Sequence, residues 1–184
     1  MDKSAIDPHI ERILLSNSEI ISRVKEIAAQ VSGDYRGKQL TIVTVLKGSV
    51  FFAADLLRFL TIDRDIDFVC TSSYIGANSV SKVQLVADLS SNPKGKNILL
   101  VEDIADTGLT LNYLRDNLKE RGAASVAVCV LLDKPAARKV AVEIAYRGFT
   151  IEDFFVVGYG LDYEEKFREL PYIGVLKQSV YNNK

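Results

Sequence analysis

The sequence predicts an α/β fold, with a mainly parallel sheet flanked by helices and a small hood formed by the two chain ends. Three observations predict it. Short β-branched apolar runs alternate with longer stretches whose apolar residues recur at helical spacing, the pattern of strand–helix–strand units. Glycine, proline and polar clusters punctuate each change of period. The length, 184 residues with 48% apolar, suits a single domain, with no internal repeat, low-complexity tract or long linker to divide it.

Taken in order, Asn17-Ser18-Glu19 opens a helix with apolar residues at Ile20, Ile21, Val24, Ile27, Ala28 and Val31, ending near Gly33. Residues 40–46 read as a buried strand, being short and β-branched. Lys47-Gly48 turns the chain, and Ser49 is placed to cap a helix running to about Leu60. Strands are expected near 65–73, 83–89 and 98–101, with a turn at Pro93-Lys94-Gly95-Lys96. The next helix carries Leu111, Leu114 and Leu118 on one face and stops at Gly122, a residue suited to the left-handed position past a helix end. Residues 126–132 form another buried strand, broken by Lys134-Pro135, and 154–157 the last clear one. The core therefore spans about 17–145. The ends, about 1–16 and 145–184, fit the alternation poorly and are assigned to the hood.

Composition narrows the function. With 23 Lys+Arg against 24 Asp+Glu the net charge is -1, which disfavours a protein living by phosphate-backbone binding, so no nucleic-acid partner is expected. The first residues lack the apolar region of a secretory signal. The longest apolar run, 126–132, is far below the ~18 residues that suggest a membrane span, so no membrane partner is expected and the setting is cytoplasmic. Cys70 and Cys129 lie in strand-like runs without ligand spacing and read as reduced core residues. His9, the one histidine, reads as a surface or packing residue.

In open parallel sheets, ligands bind outside the carboxyl ends of the strands. The polar residues there are Lys47-Gly48-Ser49, Ser72-Ser73-Tyr74, Glu102-Asp103, Asp133-Lys134 and residues 158–162, and these five groups should converge on one rim. The most informative stretch is Val101-Glu102-Asp103-Ile104-Ala105-Asp106-Thr107-Gly108-Leu109-Thr110. It admits two readings. Helix-start N–H groups with the Thr107 and Thr110 hydroxyls make a phosphate cradle, beside carboxylates that can bind sugar hydroxyls or a cation. Alternatively Asp106 is an acidic helix cap and Glu102-Asp103 are solvated loop charges.

This stretch resembles the phosphoribosyl-diphosphate signature of type I phosphoribosyltransferases. Further matches follow in order: Leu46-Lys47-Gly48-Ser49, Ser73-Tyr74, Leu132-Asp133-Lys134-Pro135, and Phe155-Val156-Val157-Gly158-Tyr159-Gly160-Leu161-Asp162-Tyr163 with Arg168. Together they cover about residues 40–170 and are similar to the bacterial hypoxanthine-guanine branch. The acidic signature marks the wider family, and the segment from Phe155 to Tyr163 narrows it to 6-oxopurines. Lys47-Gly48 is not a nucleotide-binding Walker loop, since no glycine precedes it at the required spacing.

The resemblance implies the type I phosphoribosyltransferase fold and transfer of a 5-phosphoribosyl group from 5-phosphoribosyl 1-diphosphate to hypoxanthine, and to guanine, giving IMP or GMP and pyrophosphate. It implies Asp106 as the catalytic acid–base group beside purine N7. Glu102 and Asp103 would bind the ribose hydroxyls and a metal. Thr107, Gly108 and Thr110 would hold the 5′-phosphate, with Leu109 adding its backbone N–H. Lys47, Gly48 and Arg168 would hold pyrophosphate, on a turn that in this family can carry a non-proline cis peptide, here Leu46-Lys47. Phe155 would stack on the purine, Val156 would read its edge through backbone groups, and Lys134 would donate to the 6-oxo group. Asp162 would hold Mg²⁺, the implied cofactor, through water near the pyrophosphate. Core packing is the competing reading for Phe155 and Val156. Ser73 and Tyr74 would begin a lid loop, although the residues after Tyr74 depart from the bacterial pattern, where glycine follows directly. Ala105 stands where relatives carry a larger aliphatic. A homodimer or homotetramer is implied. The alternatives are a non-catalytic regulator on the same fold that binds nucleic acid, and transfer to another base such as xanthine.

Overall fold

The structure, a computed structural model, describes residues 6–75 and 81–182. A first strand, β1 (Ile10–Leu15), precedes helix α1 (Asn17–Asp34). Ser16 caps α1 in a reciprocal box: its hydroxyl accepts from the Glu19 N–H, and the Glu19 carboxylate accepts from the Ser16 N–H at 2.8 Å. Strand β2 (Leu40–Leu46) and helix α2 (Val50–Phe59) follow at the expected places. Ser49 occupies the cap position of α2 without capping it, because its hydroxyl donates backwards to the Val45 carbonyl.

Strands β3 (Arg64–Ile75) and β4 (Ser81–Ala87) form an antiparallel pair. Strand β5 (Asn97–Ala105) outruns its apolar stretch, so Glu102 and Asp103 belong to the strand and not to a loop. Helix α3 (Leu109–Glu120) buries Leu111, Leu114 and Leu118, and Gly122 follows it at φ 86°. Strand β6 (Ser125–Asp133) then runs into a 3₁₀ turn, Pro135–Ala137.

These elements build a six-stranded sheet of order β4-β3-β2-β5-β6-β7, parallel except for β4. Its last member, β7 (Tyr146–Thr150), lies in a stretch assigned from sequence to the hood, so the main sheet extends past residue 145. One core fills the space between the sheet and α1 and α2; a second lies under α3 on the opposite face. A separate antiparallel sheet joins β1, β9 (Ile173–Leu176) and β8 (Val156–Val157), with Ile10, Val157, Tyr172 and Leu176 packed together. The expected strand at 154–157 is thus only two residues long, and Phe155 lies outside it, 39% exposed. A short helix, α4 (Gln178–Tyr181), ends the described chain. Among the described residues no helix is long and apolar enough to cross a membrane.

Candidate active site

Because β2, β3, β5 and β6 are parallel neighbours, their carboxyl ends share one rim, and the register sets Leu46 beside Cys70 and Ala105 beside Asp133. The predicted groups meet there. A Cβ on Gly48 would lie 1.8 Å from Asp103 Oδ2, and one on Gly160 would lie 1.9 Å from the Gly48 carbonyl oxygen. Only a residue without a side chain allows the turn after β2 to approach β5 this closely. The Leu46–Lys47 peptide is cis. The Lys47 ammonium is exposed and donates to Glu165 at 3.1 Å.

A cavity of about 370 Å³ opens at the rim, lined by Val45, Leu46, Thr71, Val83 and residues 102–111. Glu102 and Asp103 form its floor and are both buried. They are not the solvated charges of the alternative reading. Burial, joined by the neighbouring Asp103 charge, pushes the Glu102 carboxyl well above its ordinary range, and burial raises Asp103 as well. Glu102 Oε2 has no hydrogen-bond partner among the described residues, while Asp103 Oδ1 accepts from the Ile104 N–H at 2.8 Å. A buried oxygen without a donor is costly for the chain alone and fits a cation or a ligand hydroxyl.

Asp106 does not cap α3. The cap is Gly108, in the left-handed region at φ 84°, with no side-chain cap bond. A Cβ there would strike the Val140 carbonyl at 2.7 Å, so the loop has no room behind it. The Asp106 side chain is exposed, and no bond of its carboxylate is found among the described residues. Its backbone is held instead. Arg138 donates to the Asp106 carbonyl at 2.8 Å and the Ala105 carbonyl at 3.0 Å, and its guanidinium pairs with buried Asp133, which Arg147 also meets at 2.8 Å. The Lys139 and Val140 N–H groups donate to the Thr107 carbonyl. Thr107 Oγ1 accepts from the Leu109 N–H at 3.4 Å, leaving the first amides of α3 facing the cavity mouth with Thr110 beside them.

At the neighbouring edge, the Lys134 N–H donates to the Ala105 carbonyl at 3.0 Å, and the Lys134 ammonium pairs with exposed Asp153 at 2.7 Å. Val156 is buried, whereas Phe155 is partly exposed and outside the core clusters. Arg168 donates to the Gly160 carbonyl at 2.7 Å, pairs with Asp162 at 2.9 Å and keeps a buried Nε without a partner among the described residues. Asp162 also accepts from the Glu165 N–H at 2.9 Å. Among the described residues no three acidic, histidine or cysteine side chains gather into one metal cluster. Ser73 and Tyr74 lie in β3 opposite Val83 and Lys82; of the lid expected to follow them over residues 75–81, residues 76–80 fall outside the described residues.

Two contributors escaped the sequence reading. Arg138 sits in a basic stretch with no local mark of its role. Tyr159, buried with its hydroxyl donating to Asp55 at 2.6 Å, ties α2 to the 158–162 loop; burial and that carboxylate push its ionisation far up.

Comparison with known proteins agrees with this geometry. The phosphoribosyl transferase domain family matches residues 12–164. The hypoxanthine-guanine phosphoribosyltransferase of Streptococcus pneumoniae is 48% identical over 179 residues, covering 97% of this chain and 99% of that protein. The crystal structure of a hypoxanthine phosphoribosyltransferase from Staphylococcus aureus superposes with a TM-score of 0.91 at 44% identity, covering 95% of this chain and 96% of that one. A hypoxanthine-guanine phosphoribosyltransferase structure from Bacillus anthracis gives 0.85 at 43% identity, covering 91% and 98%.

Proposed function

This chain belongs to the phosphoribosyltransferase family, and from that premise we propose that it is the salvage enzyme that moves a 5-phosphoribosyl group from its 1-diphosphate onto hypoxanthine or guanine. The observation that carries the reading is the buried Glu102–Asp103 pair at the end of β5, opening directly onto the Asp106 to Thr110 loop in the rim cavity.

Breaking the anomeric bond builds positive charge on the ribose and negative charge on the pyrophosphate. The chain's task is to position both partners and exclude water. The first amides of α3, with Thr107, Gly108, Leu109 and Thr110, hold the 5′-phosphate. Glu102 and Asp103 take the ribose hydroxyls, supplying the donor that Glu102 Oε2 lacks. Lys47, Gly48 and Arg168 hold the pyrophosphate, Glu165 giving up the two cations as it enters. Phe155 carries the purine plane, Val156 reads its edge, and Lys134 donates to the 6-oxo group in place of its contact with Asp153. Asp106, whose carboxylate makes no bond among the described residues, holds or takes the proton at N7.

The donor set fits Mg²⁺, which takes one or two carboxylates together with phosphate oxygens and waters. Glu102 and Asp103 would hold it, with Asp162 contributing through water. When bound, the ion would neutralise charge on the diphosphate as it leaves.

We propose a cytoplasmic homo-oligomer. Ile66 and Phe68 of β3 are 50% and 47% exposed, an apolar edge of the kind that marks association. Sedimentation should give a dimer or tetramer; a monomer at micromolar concentration would exclude it. The activity itself is tested by mixing protein, Mg²⁺ and donor with each base and following nucleotide formation. No product from either hypoxanthine or guanine would reject the proposal, and turnover of xanthine alone would reassign the base.

A further inference from the structure

We propose that Tyr181 is a positioning residue for the purine: its ring backs Phe155 and fixes the plane on which a flat 6-oxopurine stacks. The inference rests on the reading of Phe155 as the purine platform. Phe155 projects from the hood outside any strand and is 39% exposed, so the core does not hold its ring. Two tyrosines do. Tyr181 lies nearly parallel to it, centroids 5.0 Å apart and planes 22° apart, and Tyr163 meets it edge-on at 5.6 Å and 83°. One face is thereby covered and one edge blocked, which leaves the other face for a planar ligand.

The backing ring is itself placed by the hood. The Leu176 N–H donates to the carbonyl of Phe155 at 2.9 Å, so the last strand ends against the platform residue. The Lys177 N–H donates to the His9 carbonyl at 2.9 Å, and its ammonium donates to the Pro8 carbonyl at 2.6 Å. Val180 and Tyr181 then pack against the cluster of Ile10, Val157, Tyr172 and Leu176. Both chain ends therefore converge on the orientation of one ring. An exposed phenyl group free to turn would have to be ordered when a base binds, and a ring already clamped avoids that loss.

The test is steady-state kinetics with hypoxanthine and donor varied separately, on wild type and on Tyr181→Ala, Tyr181→Leu, Tyr181→Phe and Phe155→Leu. Tyr181→Ala should raise KM for hypoxanthine about three- to tenfold, the size of one aromatic stack. Donor KM and kcat should stay within about twofold. Tyr181→Phe should restore the base KM, and Tyr181→Leu, which keeps bulk without a ring face, should not, even if the alanine variant is too unstable to assay. An unchanged base KM, a fall in it (the ring then covers the purine's own face), or an equal rise in both KM values would overturn the proposal. Phe155→Leu separates the two levels: a raised base KM there supports the platform, and Tyr181 is judged on its own. If Phe155→Leu leaves the base KM unmoved, platform and proposal fall together.

Discussion

Replacing Gly48 by alanine tests whether the turn after β2 and the acid on β5 act as one device. The new Cβ would sit 1.8 Å from Asp103 Oδ2 and 2.7 Å from its Cγ. An ordinary carbon–oxygen contact is about 3.3 Å, so relief needs a shift of roughly 1.5 Å by the turn or by the carboxylate. Neither moves freely. Asp103 is buried with Oδ1 accepting from the Ile104 N–H, and the Gly48 carbonyl is pressed against Gly160. A misplacement of about 1 Å commonly costs ~10²-fold in rate, so kcat/KM should fall at least that far, about 2.7 kcal/mol. Overpacking of ~1–3 kcal/mol should lower the melting temperature by about 2–12 °C. The assay is nucleotide formation together with thermal melting, on Gly48→Ala, Asp103→Ala and the double variant. Removing the Asp103 carboxylate removes the clash, so the losses in stability should not add; the double variant should melt no lower than Gly48→Ala alone. Activity of Gly48→Ala within threefold of wild type, or strictly additive stability losses, would refute the reasoning.

The remaining predictions concern charge. Burial raises the Glu102 carboxyl above its ordinary 4.5, so its effect on stability is fully favourable below about pH 4.5. As pH rises, the unfolded chain ionises while the folded one resists, and stability falls by up to ~1.4 kcal/mol per pH unit until the raised value is passed. In protein free of metal and donor, Glu102→Gln should therefore match wild type in melting temperature near pH 4.5 and exceed it increasingly towards neutrality; a gap independent of pH would contradict this. Asp106→Asn should cut turnover by ~10²–10⁴-fold with donor affinity nearly unchanged and melting unaffected, and equal losses in turnover and donor affinity would make Asp106 a binding group. Arg138→Ala frees the Asp106 carbonyl, leaves the Ala105 carbonyl to the Lys134 N–H, and leaves buried Asp133 to Arg147 alone. Turnover should drop more than tenfold, and melting should fall by an amount corresponding to about 1–3 kcal/mol; a variant with wild-type kinetics would show that the loop orients itself.

Local pattern made some elements readable and distance hid others. Residues 40–46 are apolar but for two threonines, and residues 126–132 apolar throughout, because both faces of their strands are covered, and their limits follow directly from composition. The strand β1, IERILL, shows little such pattern, because it is only half buried and its partner β9 lies at the other end of the chain. Strand β7 carries Arg147 and Gly148 at a sheet edge and has no apolar run to announce it. The same divide runs through the site. Asp106, Thr107 and Thr110 stand out by their spacing within one loop, whereas the weight carried by Arg138 depends on a contact made across 32 residues. Acids at a helix start suggest a cap, and the left-handed Gly108 is what rules it out here, a fact of backbone angle that composition does not encode.

The pairing of β1 with β9 also sets a timetable. Residues 10–15 are made long before their partners, residues 173–176. The residues proposed to take the donor's ribose and 5′-phosphate, with the Arg138 that braces their loop, are all made well before that last strand. At ~5–20 residues per second the remaining stretch takes about 2–7 s to appear. For that interval the residues proposed to take the sugar and its phosphate exist without a finished base platform. A product cut short after Arg138 would lack Arg168 of the proposed pyrophosphate contacts as well as Phe155 and Val156, so coupling the two substrates would need a chain read through its final strand.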